Sequence, residues 1–144
     1  MKKTLSIIMI VISLTVCLSV LSSCDNMKKD PLALASFFDD NNYYTYISID
    51  DEDIKDVADE LKVRAKGITC VVAVQPDNYE DERMGIFIYC ESASVAKELF
   101  ADLETFVQNN QEFTDEIERC IVECSGTLAY IGCEDAWEDM NSGK

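Results

Sequence analysis

Short runs that are apolar on both of their alternating faces constrain this chain most. Residues 68–74 (ITCVVAV) and 84–90 (MGIFIYC) have strand length and composition, and alternate side chains leave a strand on opposite sides. One parity of the strand-like runs collects Ile68, Cys70, Val72, Val74, Ile86, Ile88 and Cys90. The other collects Tyr44, Tyr46, Val71, Ala73, Phe87, Tyr89, Ile121, Leu128 and Tyr130. An antiparallel sheet with helices on one side usually turns its second face polar, and here it does not. That face is either covered by a terminal helix, through Leu34, Phe37 and Phe38 or through Trp137 and Met140, or it is an interface for a second copy or another protein. In the second case Tyr44, Tyr46, Phe87, Tyr89 and Tyr130 are the candidate contact residues.

The remaining elements follow from period and punctuation. Asp30-Pro31 sets a capping side chain before a proline at the first helical position, with Leu34, Phe37 and Phe38 at helical spacing. Residues 43–49 (YYTYISI) read as the first strand. Asp50 or Asp51 caps a helix with Ile54, Val57, Ala58, Leu61 and Ala65 on its stripe, acids at its start, and Lys62, Arg64 and Lys66 at its end before Gly67. Residues 75–83, with Pro76-Asp77-Asn78 and four acids, make a solvated loop between the central strands. Ser92 caps a helix carrying Val95, Ala96, Leu99, Phe100, Leu103, Phe106 and Val107. Residues 117–123 and 127–131 flank a turn at Cys124-Ser125-Gly126, and residues 134–140 close the chain as a helix. The order contains β-α-β-β-α-β. This predicts an α+β chain with a ferredoxin-like βαββαβ core, helices on one face, an extra N-terminal helix, a C-terminal β-hairpin strand and a short terminal helix.

The N-terminus reads as an address. Met1-Lys2-Lys3 is cationic, residues 5–21 carry no charge, and Leu21-Ser22-Ser23-Cys24 follows. Seventeen residues diluted by serine and threonine are short for a membrane span, which wants about 20 mostly apolar ones. The tetrad resembles the lipobox of bacterial lipoproteins, which implies cleavage before Cys24 and diacylation of its thiol. Two acyl chains hold a protein on a bilayer where one does so only marginally. Cys17 is the rival, but the bulky Val16 precedes it. The expected organisation is a signal peptide at 1–23, a tether at 24–30 and a single domain at 31–144, anchored on the outer face of a bacterial cytoplasmic membrane through the lipid on Cys24.

Charge and residue usage exclude several function classes. The leader holds Lys2 and Lys3 and no acid, so from Cys24 onward ten basic residues face 28 acids, a net −18. Such a chain repels phosphate backbones and has no basic stripe, which argues against nucleic acid. Without one histidine, Ser-His-Asp and Cys-His nucleophile activation are gone, as is the commonest transition-metal ligand. No catalytic residue, cofactor or metal is expected.

Five cysteines remain in the domain: Cys70, Cys90, Cys120, Cys124 and Cys133. Their parity places all five toward a core, where cysteine behaves as a small hydrophobe. The candidate disulfide is Cys70 with Cys90, because the hairpin brings the start of one strand beside the end of the other. Cys120-x3-Cys124-x8-Cys133 lacks the spacing of a zinc knuckle. Asp77, Glu80, Asp81 and Glu82 could hold calcium only weakly, lacking the alternation and central glycine of a calcium loop.

Several blocks together carry a wider resemblance: Tyr43-Tyr44-Thr45-Tyr46, Lys66-Gly67-Ile68, Ile86-Phe87-Ile88-Tyr89 leading into Glu91-Ser92, Ala96-Lys97-Glu98-Leu99, and residues 128–136 (LAYIGCEDA). They resemble small uncharacterised lipoproteins of low-GC Gram-positive bacteria. The resemblance implies a threonine or serine helix cap where Cys133 stands and supplies no activity. The expected function is therefore a membrane-anchored extracytoplasmic binding or interaction module, with a homodimer or a protein partner in view. The alternatives are a thiol-dependent enzyme working at Cys133 or Cys120, and an acidic inhibitor of a secreted basic protein.

Overall fold

The computed structural model describes residues 25–78 and 83–143. In these the chain is α+β, with α1 (Pro31–Asp40), β1 (Tyr43–Ser48), α2 (Asp51–Glu60), β2 (Ile68–Pro76) and β3 (Gly85–Cys90) in its first half. There follow α3 (Ala93–Asn109), a short α4 (Gln111–Asp115), β4 (Cys120–Ser125), β5 (Leu128–Cys133) and α5 (Glu134–Ser142). The five strands make one sheet in the order β1-β2-β3-β5-β4, every neighbouring pair antiparallel.

Local chemistry sets most of the element boundaries. The carboxylate of Asp30 accepts from the backbone N–H groups of Leu32 and Ala33, with Pro31 at the first helical position, so α1 starts where the sequence predicts. Ser92 Oγ accepts from Val95 N at 3.3 Å, and α3 buries the stripe Ala96, Leu99, Leu103 and Phe106. Cys133 is the N-cap of α5, its sulfur accepting from Ala136 N at 3.4 Å, the task serine or threonine performs elsewhere. Arg119 pairs with Glu134 at 3.1 Å and with Asp135, tying the entry of β4 to the first turn of α5.

Two expectations are overturned here. The ferredoxin-like interleaving is absent: β1 pairs directly with β2, where a split βαβ unit sets another strand between them. The cause lies at the end of α2. The spacing predicts helix through Ala65, but the helix stops at Glu60, and Lys62 takes φ 54. Lys62 N then bonds Asp59 O at 3.2 Å and Val63 N bonds Ala58 O at 2.9 Å, a Schellman closure with lysine in the place glycine usually takes. Residues 61–67 are thereby free to run back to the end of the sheet they left, and Ser48 meets Val71 across the β1–β2 pair. A helix kept to Ala65 would have carried the chain to the far end, as a parallel crossover requires.

The second correction concerns the faces. Helices cover both sides of the sheet. On one, Leu34 and Phe38 of α1 with Ala136 and Met140 of α5 pack on Cys70, Val72, Val74, Phe87, Tyr89, Leu128 and Tyr130. On the other, Ile54 of α2 and Ala96, Leu99, Leu103 and Phe106 of α3 pack on Val71, Ile88, Cys90, Ala129 and Ile131. Val72 opposes Phe87 and Val71 opposes Ile88, one residue away from the register that parity on the two runs implies. A slip of one residue moves every side chain of a strand to the opposite face. A loop of the length of residues 75–83 does not pin that register as a two-residue turn would. The β4–β5 hairpin does turn in two residues, Gly126-Thr127, one position later than the sequence suggests.

A candidate binding slot on the sheet

The register divides the five aromatic residues singled out from the sequence. Phe87, Tyr89 and Tyr130 lie on the α1/α5 face and are buried. The Phe87 ring sits 5.4 Å from Phe38, 4.6 Å from Tyr130 and 6.4 Å from Trp137, and Trp137 stacks on Tyr130 at 5.2 Å. Tyr130 donates its hydroxyl proton to Cys133 O and Tyr89 donates to Met27 O, both at 2.6 Å. Burial pushes both phenols well above their ordinary range. These three are core, under the terminal helices. Tyr44 and Tyr46 stand on the opposite face and are 59% and 60% exposed.

The cysteines are likewise separated. Cys70 opposes Tyr89 and packs on the α1/α5 side, whereas Cys90 packs on the α2/α3 side, with a register irregularity between Ile68 and Cys70. The two thiols leave the sheet in opposite directions, and both are free, which corrects the candidate disulfide. Cys120 opposes Cys133 across β4 and β5, and both are free. Burial raises the thiols of Cys70, Cys120, Cys124 and Cys133, and holds that of Cys90 up to about 11 with Cys124 and Glu91 adding to it. At Cys133 the hydrogen bond from Ala136 N works the other way, but desolvation is the larger effect. A thiolate nucleophile is therefore disfavoured at either position considered for thiol chemistry. Among the described residues no group of three histidine, cysteine or carboxylate side chains is placed to hold a metal. Of the candidate calcium loop, Glu80, Asp81 and Glu82 lie outside the described residues, as does Cys24. No helix among the described residues is long and apolar enough to cross a membrane.

What the α2/α3 face offers instead is a slot. Its floor is Ala73 and Ile86, neighbours across β2 and β3, and one side is walled by Tyr44 and Tyr46 of the edge strand β1. Phe113 of α4 and Ile117 stand opposite. This outer part has a volume of about 430 Å³ and is mostly apolar. A further 220 Å³ continues inward past Val57, Glu60 and Leu61 to Ser48 and Val71, and the two parts share Tyr46, Ala73, Ile86 and Phe113. From Gln75 to Val71 along β2 the slot runs about 13 Å, at 3.3 Å per residue.

The helices leave this strip open for a reason of length. α3 spans seventeen residues and buries its stripe over β3, β5 and β4, while α2 has only ten and ends over the inner part of the slot. Ser48, at the inner end, is 1% exposed and its Oγ has no hydrogen-bond partner in the protein. A buried hydroxyl left without any partner, water included, costs about 1–3 kcal/mol, so Ser48 Oγ is a polar group at the end of the slot with hydrogen-bonding capacity to spare. The Tyr46 hydroxyl reaches Asp53 only at 3.5 Å.

Sequence reasoning found Tyr44 and Tyr46, with Ala73 on their face, but missed Ser48, Ile86, Phe113 and Ile117 as lining. Phe113 and Ile117 are four apart, a helical spacing that follows Asn109-Asn110 at once and goes unread when those asparagines are taken as a stop. The place of Ile86 on the floor depended on the register of β2 on β3, which the loop concealed. The slot volume lies within the 300–1,000 Å³ common for small-molecule sites, and its apolar walls with a few polar groups fit the same pattern. No family model matches the chain, and neither a curated protein nor a solved structure matches it.

Proposed function

We propose that this protein is a lipid-anchored extracytoplasmic binding module of the outer face of a bacterial cytoplasmic membrane, and that it holds a small molecule in the slot over Ala73 and Ile86. The observation that carries the binding reading is the open apolar strip between α2 and Phe113, ending at the unpartnered hydroxyl of Ser48. An unfilled apolar strip loses contact energy that a closer helix would recover, and a ligand recovers it instead. The raised thiols and the lack of histidine favour binding over thiol or imidazole catalysis. The address rests on the charge-free leader and the Leu21-Ser22-Ser23-Cys24 tetrad.

Two measurements test the two halves. Labelled fatty acid should enter the wild-type chain and not Cys24→Ala, and equal labelling of both would overturn the anchor. Native mass spectrometry of the chain taken from its own membrane should show a bound small molecule that Ala73→Phe, which plugs the floor, has lost. Identical spectra for the two chains would overturn the binding site.

A further inference from the structure

The charges around the slot select among small molecules. Among the described residues no lysine or arginine lines either part, whereas Glu60 lines the inner part and Asp53 meets the Tyr46 hydroxyl at the rim. Lys62, beside Leu61 in sequence, is turned away to Asn110 Oδ1 at 2.9 Å. Tyr44, Tyr46, Phe106 and Phe113 line the slot with aromatic rings, and a ring face attracts a cation within about 6 Å, the more so where water is excluded. Ser48 Oγ at the inner end offers lone pairs to a donor. The chain as a whole, at −16, concentrates cations at its surface and repels anions.

Taking the slot as a binding site, we infer that its ligand is a small organic cation on an apolar body, an arylalkyl- or alkylammonium. The ammonium lies at the inner end, toward Glu60 and Ser48 and against the rings of Tyr46, Phe106 and Phe113. The apolar body lies over Ala73 and Ile86 and leaves past Tyr44 and Met84. An anion of the same shape would meet Glu60 and Asp53 with no cation to answer them, and a neutral alcohol would forgo the ring and carboxylate attraction.

Three probes of one shape separate the possibilities: 2-phenylethylammonium, 2-phenylethanol and 3-phenylpropionate. Each is titrated against the full chain in lipid nanodiscs by saturation-transfer NMR, and the Ala73→Phe chain in the same nanodiscs measures uptake by lipid. Ala73 is only half-buried and faces the open slot, so the larger ring has room, and Ala73→Leu serves as a second plug should Ala73→Phe melt early. The ammonium should bind about tenfold more tightly than the alcohol and the carboxylate should show no saturable binding. Glu60→Gln should bring the ammonium down to the level of the alcohol. Equal or tighter binding of the alcohol or the carboxylate would overturn the cation and leave the slot standing. No binding that either plug abolishes would overturn both.

Discussion

The two faces of this sheet are built from the same strands and differ in what lies over them. On the α1/α5 side Phe38, Phe87, Tyr130 and Trp137 touch ring to ring, and Tyr130 lies against paired glycines, Gly85 and Gly132. A Cβ on Gly85 would come within 2.6 Å of the Tyr130 hydroxyl, and one on Gly132 within 2.5 Å of Gly85 Cα. The ring occupies the room the two missing side chains leave. On the α2/α3 side, over Ala73 and Ile86, no such partner arrives, and Tyr44 and Tyr46 border the space instead of filling it. A tyrosine on a strand is thus core or surface according to its cross-strand neighbours and the length of the helix above, and its identity alone decides neither.

That contrast is most sharply tested by removing Phe87, which meets three aromatic rings and is fully buried. Phe87→Ala should cost about 3–5 kcal/mol in urea unfolding, transfer and cavity together. A loss below about 1 kcal/mol would mean that the terminal helices close the gap and that this face is no better packed than the other. Gly132→Ala comes next. It combines φ 153 with a Cβ placed against Met84 O and Gly85 Cα, both 2.5 Å away, so backbone must move. The expected cost is about 2–4 kcal/mol, from strain and overpacking together.

Legibility in the sequence follows the range of the forces concerned. Caps are local, so Asp30-Pro31 and Ser92 could be read directly and the starts of α1 and α3 came out as expected. The end of α2 could not, because Lys62 in the left-handed region breaks the usual preference for glycine there, and Gly67 five residues on looked like the better stop. From that one misplaced end followed the wrong strand order. The register of β2 on β3 is a non-local property hidden by residues 75–83, and it alone parted Tyr46 from Tyr89 and Cys70 from Cys90. The two-sided apolar character of the strands was legible, but it left cover by a terminal helix and an open interface as alternatives, and Phe87, Tyr89 and Tyr130, singled out as contact residues, are covered. The opening on the α2/α3 face was not legible, since it depends on where two helices stop.

A smaller effect is expected in alkali. Cys90, on the α2/α3 side, is held up to about 11 against an ordinary thiol value of 9.0, chiefly by burial. Between those values the unfolded chain gives up a proton that the folded chain keeps. Stability from this site is therefore full below about pH 9 and is lost as the pH rises through about 11. Melting temperatures from pH 8 to 11 should fall, and should fall less steeply in Cys90→Ala than in the wild type. Parallel slopes for the two chains would show that Cys90 is not desolvated in the fold.

The smallest effect should come from Tyr46, and its smallness is what distinguishes the two faces. The side chain is 60% exposed, and its hydroxyl makes one contact at the limit of hydrogen-bond length, 3.5 Å to Asp53. Truncation therefore removes little burial and leaves no buried group without a partner, so Tyr46→Ser should change unfolding free energy by less than about 0.5 kcal/mol. Tyr89→Ser, at the same residue type on the other face, exposes Met27 O to the loss of a 2.6 Å bond and opens a cavity, and should cost several times more. The two substitutions thus part stability from binding: Tyr46→Ser takes a wall and a ring face from the slot while the fold stands. Should Tyr46→Ser destabilise as much as Tyr89→Ser, its ring would be packed in solution, and the α2/α3 face would be closed like its opposite.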